Sequence, residues 1–281
     1  MRTLIAGCGF VGVRLGEILA ENGSDVHGLR RSAIDAPSFP MIAADLGDRN
    51  GLAKAIGGQG FSHLVYAASP GGRTEENYRR TYVEGLENTL AATGESLERL
   101  VLITSTAVFG QAAGEWVDED SVTEPSSFTG KILLEAEATA ARAACEATSF
   151  RLGGIYGPGR TRLVRLVATG TARIPRAPRF TNRIHRDDAA RATAHLLRAP
   201  DLAPTYVGVD RGVAELADVY RFLAAELGVA EPELEDPDAE ARAHKRCRSD
   251  RLVESGFTFA IPSYREGYPP IVAAYREDAD E

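Results

Sequence analysis

The residues best placed to do chemistry stand near the amino terminus. Gly7-Cys8-Gly9-Phe10-Val11-Gly12 reads G-x-G-x-x-G between a short apolar run, Leu4-Ile5-Ala6, and a stretch in which Val11, Leu15, Ile18 and Leu19 recur at helical spacing. Glycine suits such a junction where the chain turns tightly, where backbone must approach a pyrophosphate, and where helix meets strand. The helix start then offers unpaired N–H groups and a partial positive charge to phosphate. A purely structural glycine turn is the plain alternative. The position of the motif, at the first strand–helix junction of an alternating pattern, favours a dinucleotide site built from Gly7, Gly9, Phe10, Val11 and Gly12.

The end of the second strand bears on which dinucleotide. A site for NAD ordinarily has a carboxylate there, about 20 residues past the glycines, to bind the ribose hydroxyls. Here Leu29 is followed by Arg30, Arg31 and Ser32, with no carboxylate before Asp35. Paired guanidinium groups suit a 2′-phosphate, so the expectation is NADP, with NAD as the alternative. Further along, Arg160, Arg162, Arg165, Arg173, Arg176 and Arg179 crowd one segment. They form either a solvated, charge-balanced loop or a docking surface for an anionic substrate. The five histidines and three cysteines show no His-x-x-x-His or Cys-x-x-Cys spacing, so no metal site is expected.

The elements that must position these residues alternate between strand and helix. Asp25–Leu29, Leu64–Ala67, Leu100–Thr104 and Ser149–Leu152 read as strands; Glu75–Thr93 and Thr129–Ala147 read as helices. This pattern predicts a doubly wound α/β fold (Rossmann type) with a parallel sheet covered on both faces. Later segments read as a helix near Leu163–Ala168, a helix over Asp187–Leu197, a strand over Thr205–Val209, a helix over Glu215–Leu227 and an acidic loop over 230–240. Residues 1–155 with about 181–209 are expected to form the dinucleotide domain, and about 156–180 with 210–281 a small substrate domain. A net charge of -8 without a basic tract argues against nucleic acid or anionic membrane as partner. The three scattered cysteines and the lack of a long apolar run fit a reducing, cytoplasmic setting. The expected partner is a small-molecule substrate, with a homodimer as the allowed assembly.

Several blocks together resemble a known group. They are Gly7–Gly12, Asp45-Leu46, Ala67-Ala68, Ser105-Thr106-Ala107-Val108-Phe109-Gly110, the run from Arg151 to Gly159, and Ile184-His185-Arg186-Asp187-Asp188. In that order they are similar to the extended short-chain dehydrogenase/reductase family, the NAD-dependent epimerase/dehydratase group, from residue 2 to about residue 260. The resemblance implies that Asp45 and Leu46 border the adenine, that Ala67 and Ala68 line the cofactor groove, and that Ser105 is the catalytic serine. It also implies a tyrosine and a lysine spaced Tyr-x-x-x-Lys, the lysine binding the nicotinamide ribose and lowering the phenol pKa. Lys131, with Glu135 four residues on, matches the lysine.

The tyrosine does not match, because Ser127 stands four residues before Lys131 and its neighbour Phe128 has no ionisable proton. A serine hydroxyl is a far poorer acid than a phenol, so the acid/base role does not pass to Ser127. Tyr66, Tyr78, Tyr82 and Tyr156 are the candidates to replace it, with packing as the plainer role for each. Thr181 stands where sugar-nucleotide members often carry arginine, four residues before His185. The expectation is an atypical member: an NADP-linked oxidoreductase or epimerase/dehydratase-like enzyme on a small carbonyl or sugar-like substrate. The alternative is an NADP-binding sensor without turnover.

Overall fold

A computed structural model describes residues 1–32, 38–237 and 242–280. Asp35 and the end of the 230–240 loop lie outside the described residues. The strands are β1 (Arg2–Ala6), β2 (Asp25–Arg30), β3 (Met41–Ala43), β4 (His63–Tyr66), β5 (Arg99–Ser105), β6 (Ala113–Val117), β7 (Glu146–Leu152), β8 (Gly154–Tyr156), β9 (Phe180–Thr181), β10 (Arg183–His185), β11 (Thr205–Gly208), β12 (Ala214–Glu215) and β13 (His244–Cys247). The α-helices are α1 (Phe10–Glu21), α2 (Arg49–Ile56), α3 (Glu75–Arg79), α4 (Gly85–Thr93), α5 (Phe128–Ala141), α6 (Arg162–Ala168), α7 (Arg186–Leu196), α8 (Leu216–Leu227), α9 (Asp250–Glu254) and α10 (Tyr264–Asp280). No helix among the described residues is long and apolar enough to cross a membrane.

The chain divides into two compact units. The first comprises Met1–Gly110, Val122–Leu152 and Ala189–Tyr206; the second comprises Gln111–Ser121, Gly153–Asp188 and Val207–Glu281.

The main sheet is seven-stranded and parallel, in the order β11-β7-β5-β4-β1-β2-β3. Its central strands are continuous apolar runs: Leu4, Ile5 and Ala6 in β1 and Leu100, Val101 and Leu102 in β5 are fully buried. Strands covered by helices on both faces need that continuity rather than alternation. From β1 the chain runs outward to β2 and β3, then returns to lay β4 on the other side of β1. Strand order therefore reverses between β1 and β4, where such sheets open a crevice at their carboxyl ends. Helix α1 buries Val11, Leu15 and Leu19 on its inner face, and burying each such side chain contributes about 1.5–3 kcal/mol.

One buried ion pair ties α5 to the sheet. Arg151 Nη2 and Nε donate to Glu137 at 2.7 and 3.0 Å, and Thr104 Oγ1 donates to the same carboxylate at 2.9 Å.

Two expected helices differ in detail. The Glu75–Thr93 helix is continuous but passes through a π turn at Arg80–Glu84, where Gly85 N–H bonds the Arg80 carbonyl five residues back. The Tyr66 hydroxyl donates to the Thr81 carbonyl inside that turn. Gly85 allows this approach, since a Cβ there would lie 2.5 Å from the Tyr66 oxygen. The helix expected to reach Ala147 ends at Ala141, and Glu146 already begins β7, paired with Arg99.

In the second unit, α6, α8 and α10 pack Val164, Val167, Val219, Leu223, Ile271 and Val272 into a separate core. Short strand pairs β6–β13, β8–β10 and β9–β12 complete it. Asp188 is fully buried, and its two carboxylate oxygens accept the backbone N–H groups of Ala260 and Ile261 at 3.0 and 2.7 Å.

Candidate functional site

The three motif glycines are required for three different reasons. Gly7 has φ +81°, and a Cβ on it would lie 2.3 Å from Ala68 Cα, so the turn after β1 rests on the turn after β4. The N–H groups of Gly7 and Cys8 both donate to the Leu29 carbonyl at 2.9 Å, fixing this turn to the end of β2. Gly12 packs helix on strand, its missing Cβ 3.0 Å from Ile5 Cγ2. Gly9 is open: the nearest atom to a Cβ there is the Gly7 carbonyl oxygen, 3.9 Å away. It is the N-cap of α1, no side chain caps that helix, and no acidic residue occupies its first turn. Bare backbone at a helix start, beside open space and at the switch in strand order, fits the pyrophosphate of a dinucleotide. Phe10 and Val11 begin the helix behind it. Cys8 serves packing, its thiol pushed up to about 12 by burial.

Around this turn lie the other residues singled out for the cofactor. Arg30 ends β2 half-buried, and Arg31 is exposed. Neither guanidinium bonds a described residue, and Arg31 Nη2 comes within 3.7 Å of the space a Gly71 Cβ would fill. Asp45 is engaged on both oxygens, accepting from Gly47 N–H and from Arg80 Nη2 at 2.9 Å each. The Leu46 carbonyl accepts from Asn88 at 3.0 Å. Ala67 N–H donates to Ala6 at 2.8 Å, and Ala68 is buried beneath Gly7.

Ser105 and Lys131 belong to two turns pressed together. Ser105 closes β5, and its Oγ accepts the Ala107 N–H at 3.2 Å. Gly130, in the first turn of α5, approaches the same turn so closely that a Cβ would lie 2.5 Å from the Ala107 carbonyl oxygen. Lys131 follows, exposed, its backbone N–H donating to the Ser127 carbonyl at 3.2 Å and its ammonium bonded to no described residue. Ser127 is the N-cap of α5: its Oγ accepts the Gly130 N–H at 3.2 Å and lies 3.0 Å from Thr129 Oγ1. Glu135 pairs with Arg79 at 3.0 Å.

The four tyrosines separate into two kinds. The hydroxyls of Tyr66 and Tyr156 donate to the carbonyls of Thr81 and Ser263, and burial raises the pKa of both phenols. Tyr156 also stacks on Tyr268, with ring centroids 4.8 Å apart. Tyr78 and Tyr82 pack beside Phe128 at the start of α5, with Tyr78 5.6 Å from each of the other two rings. Tyr82 is pushed up to about 12, chiefly by burial.

In the second unit a cavity of about 850 Å³ gathers much of the arginine-rich segment. Arg160, Arg162, Arg165, Arg173 and Arg179 line it; Arg176 does not, and its Nε donates to the Glu235 carbonyl at 2.8 Å. Arg183, Arg242 and Glu235 also line the cavity. Sequence reasoning missed Arg242 and Glu235 as members of this group, because they are brought in from more than fifty residues away. No local signal marks them.

The model of the NAD dependent epimerase/dehydratase family matches residues 3–207, well over half of the chain. A solved structure from Methylobacillus flagellatus, provisionally described as an NAD-dependent epimerase/dehydratase, is 36% identical, with TM-score 0.84 over 98% of both chains. MoeE5, solved in complex with UDP-glucose and NAD, is 24% identical, with TM-score 0.83 over 99% of this chain and 100% of that one. Bordetella bronchiseptica WbmH, solved in complex with NAD+, is 17% identical, with TM-score 0.81 over 98% of each. At those last two identities the likeness shows the fold alone. No curated protein matches.

Proposed function

The chain belongs to the NAD dependent epimerase/dehydratase family, and we propose that within it this protein is an NADP-linked oxidoreductase or epimerase/dehydratase-type enzyme acting on a small carbonyl or sugar-like substrate. The observation that carries the reading is the uncapped start of α1 beside open Gly9, held by Gly7 against Ala68 at the switch in strand order. The solved neighbours MoeE5 and WbmH, which hold NAD in the same fold, support a nicotinamide dinucleotide here.

When bound, the nicotinamide accepts or returns a hydride. The remaining work falls to the chain. The backbone at Gly7–Gly12 faces the pyrophosphate, and Ala67 and Ala68 wall the groove. Arg30 and Arg31, free of carboxylate partners among the described residues, favour the 2′-phosphate of NADP over the bare hydroxyls of NAD. Asp45 and Leu46 border the adenine from a loop that Arg80 and Asn88 hold in place. Lys131 binds the ribose and adds a positive charge beside the Ser105 turn, while the Ser105 hydroxyl bonds the substrate oxygen. The proton that a phenol would exchange goes instead to or from water, because Ser127 lacks a usable acid and is occupied as a helix cap.

That same occupation favours a second reading, an NADP-binding sensor without turnover. Titration calorimetry with NADPH and NADH, followed by NADPH oxidation across a panel of carbonyl compounds and by product analysis of sugar-like compounds incubated with oxidised coenzyme, separates the two. The enzyme reading expects tighter NADPH binding, lost in Arg30→Ala/Arg31→Ala by about 10-fold or more with NADH unaffected, together with turnover that falls in Ser105→Ala. Tight binding with neither coenzyme oxidation nor conversion of any compound selects the sensor. Equal affinity for both coenzymes refutes the NADP preference, and no binding refutes both readings.

A further inference from the structure

Among the described residues, seven arginines line the cavity of the second unit against one lining carboxylate, Glu235. In a protein of net charge -8 seven arginines at one cavity stand out, and guanidinium groups held together repel unless anions lie among them. Some of the seven are satisfied by the chain itself. Arg179 pairs with Glu235 at 3.5 Å, Arg173 pairs with Glu233 at 3.5 Å and donates to the carbonyls of Gly170 and Ala172 at 2.8 Å, and Arg160 donates to the Ile155 carbonyl at 3.0 Å. The guanidinium groups of three others, Arg162, Arg165 and Arg242, bond no described residue.

These three fall into two groups by their place in the fold. Arg162 and Arg165 stand three residues apart on α6, so their side chains leave the same face of the helix. Arg242 comes from the segment that leads into β13. A cavity of about 850 Å³ is roughly 10 Å across if compact, within the range of small-molecule sites and wider than a single phosphate or diphosphate. Tyr220, Tyr268 and Leu216 contribute hydroxyl-bearing and apolar wall, which suits an organic body rather than an inorganic ion.

We propose that this cavity binds a small organic polyanion with two separated anionic groups, one held by Arg162 and Arg165 and the other by Arg242. Glu235 acts as an internal counter-charge that the ligand relieves by drawing on Arg179. The inference rests on the enzyme reading above and narrows its substrate to a doubly anionic compound. It differs from a compound whose charge is concentrated in one diphosphate.

The test is titration calorimetry on the full chain saturated with NADPH, so that phosphate sites in the first unit are filled. Three probes are compared: inorganic pyrophosphate, a six-carbon alkanediol carrying phosphate at both ends, and the same diol carrying phosphate at one end. The two-ended probe is expected to bind at least ~10-fold tighter than either of the others. Arg162→Ala/Arg165→Ala and Arg242→Ala should each reduce it to the affinity of the one-ended probe, and Glu235→Gln should tighten it. Arg142→Ala, at the end of α5 in the first unit, should change nothing. Pyrophosphate binding as tightly as the two-ended probe, or Arg242→Ala leaving its affinity unchanged, overturns the proposal. NADPH titrations of each variant run in parallel. If wild type does not bind NADPH, the enzyme reading fails while the probe comparison, repeated without coenzyme, still decides the cavity.

Discussion

Substituting alanine at Gly7 and at Gly9 separates folding from coenzyme binding within one turn. At Gly7 the added Cβ would lie 2.3 Å from Ala68 Cα and 2.4 Å from its nitrogen, both backbone atoms that no rotamer change can move, and φ is +81°. The left-handed conformation alone costs about 1–2 kcal/mol for an L-residue, and the forced shift of the β4 turn adds to it. Gly7→Ala is therefore expected to lose at least ~2–3 kcal/mol of stability. At Gly9, φ is -114° and the nearest atom is 3.9 Å from the added carbon, so the cost to folding should stay below ~1 kcal/mol. That carbon would nevertheless occupy the space reserved for the pyrophosphate, and a loss of ~1.4 kcal/mol in binding corresponds to a tenfold drop in affinity. Urea unfolding gives the first quantity, and NADPH calorimetry gives the second. Wild type saturated a hundredfold above Kd should gain ~2.7 kcal/mol in the same unfolding experiment, a gain that Gly9→Ala largely forfeits. A folded Gly9→Ala protein that binds NADPH like wild type would refute the placement of the coenzyme.

Three further outcomes follow from particular contacts. Glu137→Gln leaves Arg151 charged and buried, and should cost about 3–5 kcal/mol in urea unfolding, most of it recovered in Glu137→Leu/Arg151→Met. Asp210 is pushed up to about 7, chiefly by burial and against the pull of Arg183. Between the ordinary carboxylate value of 3.8 and about 7 the native protein holds a proton that the unfolded chain has released. Stability should therefore fall as pH rises through that window and level off above it, and Asp210→Asn should flatten the slope in urea midpoints measured across the range. Ser127→Ala and Ser127→Tyr both remove the α5 cap and should each lose about 1 kcal/mol; if position 127 is the missing acid, only the tyrosine variant raises carbonyl turnover, by at least ~10-fold. Equal turnover in the two would show that the proton moves elsewhere.

The sheet was legible because parallel strands buried on both faces must be apolar throughout, as Leu100–Leu102 are, and because the glycine turn is a local signal. Helix ends were less so. The run Ala140-Ala141-Arg142-Ala143-Ala144 favours helix by propensity, yet strand pairing with β5 claims Glu146 onward. Helix α10 is hidden by Pro269 and Pro270, residues that read as breakers, and β6–β13 joins segments about 130 residues apart, one of them His244-Lys245-Arg246. Among site residues, those within one turn of the chain could be read directly. The meeting of Gly130 with Ala107, and the shared lining of one cavity by Arg242 and α6, depend on the tertiary fold.

The π turn at Arg80–Glu84 sets which side chains face the start of α5. It winds five residues to the bond where regular helix winds four, so it holds one residue more than the flanking turns need. Excising one residue there would rewind the segment and rotate everything upstream by about 100°, swinging Tyr78 off Phe128 and Arg79 off Glu135 while leaving Leu86 in the core. A variant shortened by that one residue would thus differ in which side chains border the start of α5, although its sheet stays in place.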